Sequence, residues 1–94
     1  MRIRWLRKAL QNLDEEAAYL SQQSPQVARR FVESVNAAVN RLAEHPATGR
    51  PGRVQGTREL VITDFPYLVP YRVRNQSVEV LRVFHTSRTP PTRW

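Results

Sequence analysis

Ninety-four residues form one domain with a core of modest extent. The 40% apolar fraction contains no run near the ~20 residues of a membrane-spanning helix, and the absence of cysteine excludes disulfides, thiolate zinc sites and cysteine nucleophiles. Fifteen basic residues, all but Lys8 arginine, against eight acidic ones give a net charge of +7, so acidic partners fit this chain and basic ones do not.

The N-terminal stretch "MRIRWLRK" lacks the long apolar segment of a secretory signal, so the expected location is cytoplasmic. Within it, Ile3 and Trp5 alternate with Arg2 and Arg4, which predicts a short strand over 2–6 with one wet face. From Arg7 the period changes: Ala9, Leu10, Leu13, Ala17 and Leu20 recur at helical spacing, predicting a helix over 7–22. Ser24-Pro25 has the form of an N-cap followed by proline at the first helical position. Ala28, Phe31, Val32, Val35, Ala38, Val39 and Leu42 then trace a second helix to about Glu44, where His45-Pro46 stops it. A joint this short predicts an antiparallel helical hairpin.

Next comes "HPATGRPGRVQGTRELVI", which holds all three glycines of the chain. After it, 57–62, 67–73 and 78–84 read as strands separated by turns at Thr63-Asp64 and Asn75-Gln76, which predicts an antiparallel meander. Pro70 lies inside the middle strand and demands a bulge or a lost ladder bond. In the last strand the alternation places Val78, Val80, Arg82 and Phe84 on one face and Glu79, Leu81 and Val83 on the other, as expected for a central strand. The class is α+β: an N-terminal strand, a helical hairpin, then a three-stranded meander, all in one domain over 1–94.

The residues available for chemistry are few. His45 and His85 sit in different elements and no carboxylate pair accompanies them, so no metal site is expected, and nothing calls for a cofactor. Glu59, Tyr67, Tyr71 and His85 have the chemistry of general acids or bases. Each also has a structural role open to it: an exposed Arg58–Glu59 ion pair, tyrosines packing on one sheet face, and a histidine capping its strand. The charge is uneven: residues 50–94 carry eight basic and three acidic residues, net +5, against net +2 for residues 1–49. The arginines Arg50, Arg53, Arg58, Arg72, Arg74, Arg82 and Arg88 therefore mark a surface for a polyanion, or a solvated face. A genome rich in G and C also favours arginine over lysine, but it does not account for the net charge.

The ordered set "VARRFVESVNAAVNRLAEHPATGRPG", "GTRELVITDFPYLVPYRV" and "VEVLRVFHTSR" resembles the ParE/RelE superfamily of toxins from bacterial type II toxin–antitoxin systems, over nearly the whole chain. RelE-type members are ribosome-dependent mRNA endonucleases, and several carry Arg-Leu-Val-Tyr in the middle meander strand. Here that stretch is Leu68-Val69-Pro70-Tyr71, with leucine where the phosphate-stabilising arginine stands. The ending "RVFHTSR" and the "HPATGRPG" joint are closer to the ParE branch, whose members poison DNA gyrase by binding. The resemblance thus implies a gyrase inhibitor with no catalytic residues, neutralised by an acidic antitoxin in a heterodimer or heterotetramer. On that reading the target meets Arg53, Arg58, Arg72, Arg74, Arg82, His85, Arg88 and Trp94. The antitoxin, folding on docking, lies over Trp5, Leu13, Tyr19, Phe31 and Val35. The resemblance leaves two alternatives: an mRNA interferase acting on ribosome-bound mRNA through Arg58, Arg72, His85, Arg88 and Tyr71, and an inactive homologue that only binds its antitoxin.

Overall fold

The computed structural model describes residues 1–94 and has one sheet backed by two helices. The elements are β1 (Arg2–Trp5), α1 (Arg7–Ser21), α2 (Pro25–Arg41), β2 (Arg50–Pro51), β3 (Arg58–Ile62), β4 (Tyr67–Arg74), β5 (Ser77–Val80) and β6 (Phe84–His85). The sheet is mixed. Its order is β1-β5-β4-β3-β2, with β6 also pairing β4, and β1 runs parallel to β5. The α+β class and the hairpin-then-meander order hold, while the meander gains the parallel edge strand β1 and the two-residue strand β2. No helix is long and apolar enough to cross a membrane.

The helices form for the reasons their sequences give. Ser24 accepts a hydrogen bond from the Val27 N–H at 3.2 Å, and Pro25 occupies the first turn, where its missing N–H costs nothing. α2 buries Ala28, Phe31, Val35, Ala38 and Val39, with Leu42 just beyond it; α1 adds Ala9 and Leu13. α1 has no side-chain cap, and its entry is held from the sheet: the Leu6 N–H donates to the Val80 carbonyl at 3.1 Å. The core lies between the hairpin and one sheet face, to which Leu60, Ile62, Tyr67, Val69, Tyr71, Val78 and Val80 contribute.

Pro70 sits in β4 next to β5, and the sheet bulges there. Tyr71 pairs with Val80 and Leu68 with Phe84, so Val69 and Pro70 stand opposite Leu81, Arg82 and Val83. The Leu81 N–H donates to the Pro70 carbonyl at 2.9 Å, but proline returns no donor. The Leu81 carbonyl is served instead by the Arg82 guanidinium at 2.9 Å, and the Val83 N–H by Asn12 Oδ1 of α1 at 3.3 Å. The extra residue inverts the side-chain phase. Val83 joins the core, Phe84 turns to the second face opposite Leu68, and His85 comes beside Tyr67. The single uninterrupted strand expected over 78–84 is therefore two short strands.

The β4–β5 turn is a two-residue loop with Asn75 at φ 53° and Gln76 at φ 60°, the backbone of a type I′ hairpin. Asparagine tolerates that region; glutamine is strained in it. Replacing Gln76 by glycine is expected to raise stability by about 0.5–1 kcal/mol, as the relief of left-handed strain exceeds the entropic cost of glycine; a denaturation midpoint unchanged or lowered would contradict this.

Candidate functional site

At one corner of the molecule α1 meets β4, β6 and the residues that follow. Tyr67 donates its hydroxyl proton to Glu16 Oε1 at 2.6 Å, and Arg88 approaches Glu16 Oε2 at 3.4 Å, so one carboxylate ties strand and C-terminal segment to the helix. Burial first, then the hydrogen bond to Glu16, pushes the Tyr67 phenol well above its usual range, so it stays a protonated donor. His85 stacks edge-on to Tyr67 with ring centres 4.9 Å apart. Its Nδ1 faces the Ser87 N–H at 3.0 Å and the Ser87 hydroxyl at 2.7 Å, a pattern that assigns the proton of the neutral ring to Nε2. A cavity of about 480 Å³ opens here, lined by Glu15, Glu16, Tyr19, His85, Ser87 and Arg88.

The glycine-rich joint is held from inside the fold. The Tyr71 hydroxyl donates to the Pro46 carbonyl at 2.6 Å and accepts from the Gly49 N–H at 2.8 Å. A Cβ on Gly49 would lie 2.6 Å from the Tyr71 ring, so only glycine allows this approach. Arg58 donates to the Gly49 carbonyl at 2.7 Å and to that of Ala47 at 3.4 Å. Glu59 is 1% exposed and accepts from Arg50 at 3.2 Å and from the Arg53 N–H at 3.1 Å. The exposed Arg58–Glu59 pair expected from the sequence does not form, because neighbours on a strand point to opposite faces.

On the second sheet face, away from the helices, Glu79 is 2% exposed and three guanidiniums converge on it. Arg72 donates at 2.6 Å, Arg4 approaches at 3.4 Å and Arg74 at 3.7 Å. The Arg72 hydrogen bond, with charge from Arg74 and Arg4, holds the Glu79 carboxyl below the usual carboxylate value against the opposing effect of burial. Further along this face Trp94 packs edge-on against Phe84, ring centres 5.2 Å apart.

The residues named for an mRNA interferase fall into two groups, Tyr71, Arg58 and Arg72 toward the joint, where the two arginines line one cavity, and His85 and Arg88 toward Tyr67, where they line another. Tyr71 is fully enclosed and engaged at the joint, its phenol raised by burial. Arg72 lies on the opposite face with Glu79, while His85 and Arg88 lie near Tyr67. Tyr67 and Arg72 are five positions apart on β4, roughly 16 Å at strand rise, beyond the span of one scissile phosphate. Of the residues named for a target, Arg53, Arg74 and Arg88 are exposed; Arg82 is partly buried, and desolvation lowers the pKa of its guanidinium. Of those named for an antitoxin, Leu13, Phe31 and Val35 are core side chains with no surface to offer, Trp5 is half-buried against the core, and Tyr19 is 58% exposed. Glu16 and Glu79, which organise the two charged clusters, were not singled out by the sequence. Only the alternation of Arg2 and Arg4 hinted at a basic face on β1.

Residues 3–90 match the family described as ParE toxin of type II toxin–antitoxin system, parDE. Among curated relatives, Y4kP of Sinorhizobium fredii (strain NBRC 101917 / NGR234) is 49% identical over 96% of this chain and 93% of its own length. Toxin RelE2 of Caulobacter vibrioides is 34% identical over 89% of this chain and 93% of its own. A chain of the chromosomal ParDE TA system from P. aeruginosa superposes with a TM-score of 0.80 at 30% identity, covering 90% of this chain and 95% of that one.

Two outcomes are expected from these contacts. Tyr71→Phe should cost about 1–3 kcal/mol by leaving the Gly49 N–H and Pro46 carbonyl unpaired, read as a lower denaturation midpoint. Glu79→Gln should unfold more easily than the native chain at pH 7. Because the folded Glu79 carboxyl is depressed, its stabilisation is present above the ordinary carboxylate pKa and is lost as pH falls through the folded value. The deficit of the variant should therefore narrow below pH ~4, and a pH-independent deficit would assign Glu79 a purely steric role.

Proposed function

Because this chain belongs to the ParE toxins of type II toxin–antitoxin systems, we propose that it arrests growth by binding and poisoning DNA gyrase. It does so without bond-making chemistry of its own, and an acidic cognate antitoxin neutralises it. The observation that carries this reading is the dispersal of the nuclease residues. Tyr71 and Arg58 are engaged inside the joint, Arg72 is bonded to Glu79, His85 has Nδ1 committed to Ser87, and Arg88 reaches Glu16. Of that set, what reaches solvent besides His85 is guanidinium, which binds carboxylates and phosphates and does not act as a base. Arg53 and Arg88 line a cavity of about 600 Å³ with Pro90 and Pro91 of the C-terminal segment, a surface through which the target is engaged.

The antitoxin-facing surface then centres on exposed side chains, Tyr19 and Leu10 of α1 in place of the enclosed Phe31 and Val35. Purified protein is expected to inhibit gyrase supercoiling and to accumulate cleaved-DNA complexes, and Arg53→Gln is expected to weaken both by about tenfold at unchanged stability. Supercoiling and cleavage left untouched by the native protein would overturn the reading. A second reading, cutting of mRNA on the ribosome, draws on the relative named RelE2 and on a cavity of about 320 Å³ that Arg58 and Arg72 both line. Toeprints of translating ribosomes carrying new cuts in the A site would favour it over gyrase.

A further inference from the structure

The second face of the sheet carries an ordered array of arginines that no catalytic or folding role exhausts. β1 and β4 flank β5, and the registers align Arg4–Glu79–Arg72 in one row and Arg2–Ser77–Arg74 in the next. Side chains two apart on a strand share a face, so the six residues stand on one surface. The Cα positions of the four arginines mark a rectangle roughly 10 Å by 7 Å, from strand spacing across and strand rise along, and the guanidiniums of Arg4, Arg72 and Arg74 lean inward to Glu79. Glu79 is the single acid among them, so the patch keeps three positive charges. Arg4 and Arg74 are more than half exposed, at 65% and 58% of their side chains, and Arg2 is exposed as well.

Glu79 does more than neutralise one charge. Enclosed and bonded to Arg72 at 2.6 Å, it holds that guanidinium in place and draws Arg4 and Arg74 in from either side. Positioned guanidiniums lose less freedom on binding an anion than mobile ones do. Folding alone gives no reason to set three arginines on one carboxylate and a fourth in the next row, since like charges on neighbouring strands cost stability.

We propose that this face binds the phosphate backbone of nucleic acid without reading its sequence. Protein partners are recognised through apolar or aromatic anchors at the centre of an interface, with charge at the rim. Here the centre is charged, and the nearby exposed apolar side chain, Val73, points to the other face by alternation. A cluster of forked donors that keeps an excess of positive charge suits the anionic oxygens along a backbone. Arg72 and Arg74 also belong to the target residues that the family resemblance implies, but the gyrase reading is tested at Arg53 by supercoiling and cleavage and this inference at Arg4 and Arg74 by DNA binding.

The test is fluorescence anisotropy of labelled single- and double-stranded DNA of mixed sequence, titrated with the full chain at several salt concentrations. Native protein is expected to bind with affinity falling steeply as salt rises, similarly for unrelated sequences. The Arg4→Gln/Arg74→Gln variant should bind roughly 100-fold more weakly and reduce the salt slope by about 2. It leaves Arg72 and Glu79 paired, and its denaturation midpoint reports whether it folds. Arg29→Gln/Arg30→Gln, exposed on α2 and equal in charge change, should bind as the native chain does. No binding by the native protein at low salt would overturn the proposal, as would equal losses in both variants, which would leave only net charge. Loss of polyglutamate binding with DNA binding intact would also overturn it, assigning the face to an acidic protein.

Discussion

One missing N–H, at Pro70, sets the course of the last third of the chain. Its carbonyl still takes a bond from Leu81, but the return bond is lost, and the sheet accommodates the defect with one extra residue opposite. That residue exchanges the faces of everything after it. Val83 enters the core, and Phe84 turns out to meet Trp94. His85 comes to Tyr67, so the following segment reaches Glu16. The polar groups freed by the bulge are not abandoned: Arg82 and Asn12 take them up, so an arginine that looked like a surface charge is part of the backbone's own accounting.

The same economy governs the two enclosed glutamates. Glu59 and Glu79 both lie on the second face and each is nearly inaccessible, yet both are satisfied. Burying a carboxylate is costly unless charge and hydrogen bonds compensate it. Glu59 finds Arg50 and a backbone N–H; Glu79 finds three arginines. The difference between them is what is left over. Around Glu59 one guanidinium meets one carboxylate, and the pair serves to fasten the joint to β3. Around Glu79 the cations outnumber the anion, and the excess faces solvent.

The helices were legible because a period of 3.6 leaves a strong signal over fifteen or more residues, and the cap at Ser24 and stop at His45-Pro46 marked their ends. The place of β1 was not. Four residues announce a strand, but nothing in them names a partner more than seventy positions away, so the parallel pairing with β5 and the arginine rows it completes stayed hidden. Periodicity also cannot say which of two apolar faces is covered by the chain and which by another molecule. Phe31 and Val35 follow the same spacing whether they meet a sheet or an antitoxin, and the fold uses them for the sheet. Glu59 beside Arg58 looked like a pair because they are adjacent in sequence, whereas adjacency on a strand separates them. Pro70, by contrast, gave away the bulge, since a residue with no donor admits few alternatives.

The joint shows how folding engages polar side chains. A tyrosine hydroxyl that both donates to Pro46 and accepts from Gly49 has no proton or lone pair placed for a substrate, and burial holds the phenol above its usual pKa. Arg58 spends its guanidinium on the Gly49 and Ala47 carbonyls, so it closes the turn from inside. Gly49 is required by the Tyr71 ring and Gly52 by Thr57, which makes the segment a close-packed corner and not a flexible hinge. Arg53 differs from its neighbours: its N–H is bound by Glu59 while its side chain is exposed. Anchoring the backbone removes the cost of ordering the loop, while the exposed side chain keeps its own rotamer freedom. The arginines of the joint therefore divide into Arg50 and Arg58, which hold the corner, and Arg53, which the corner holds out.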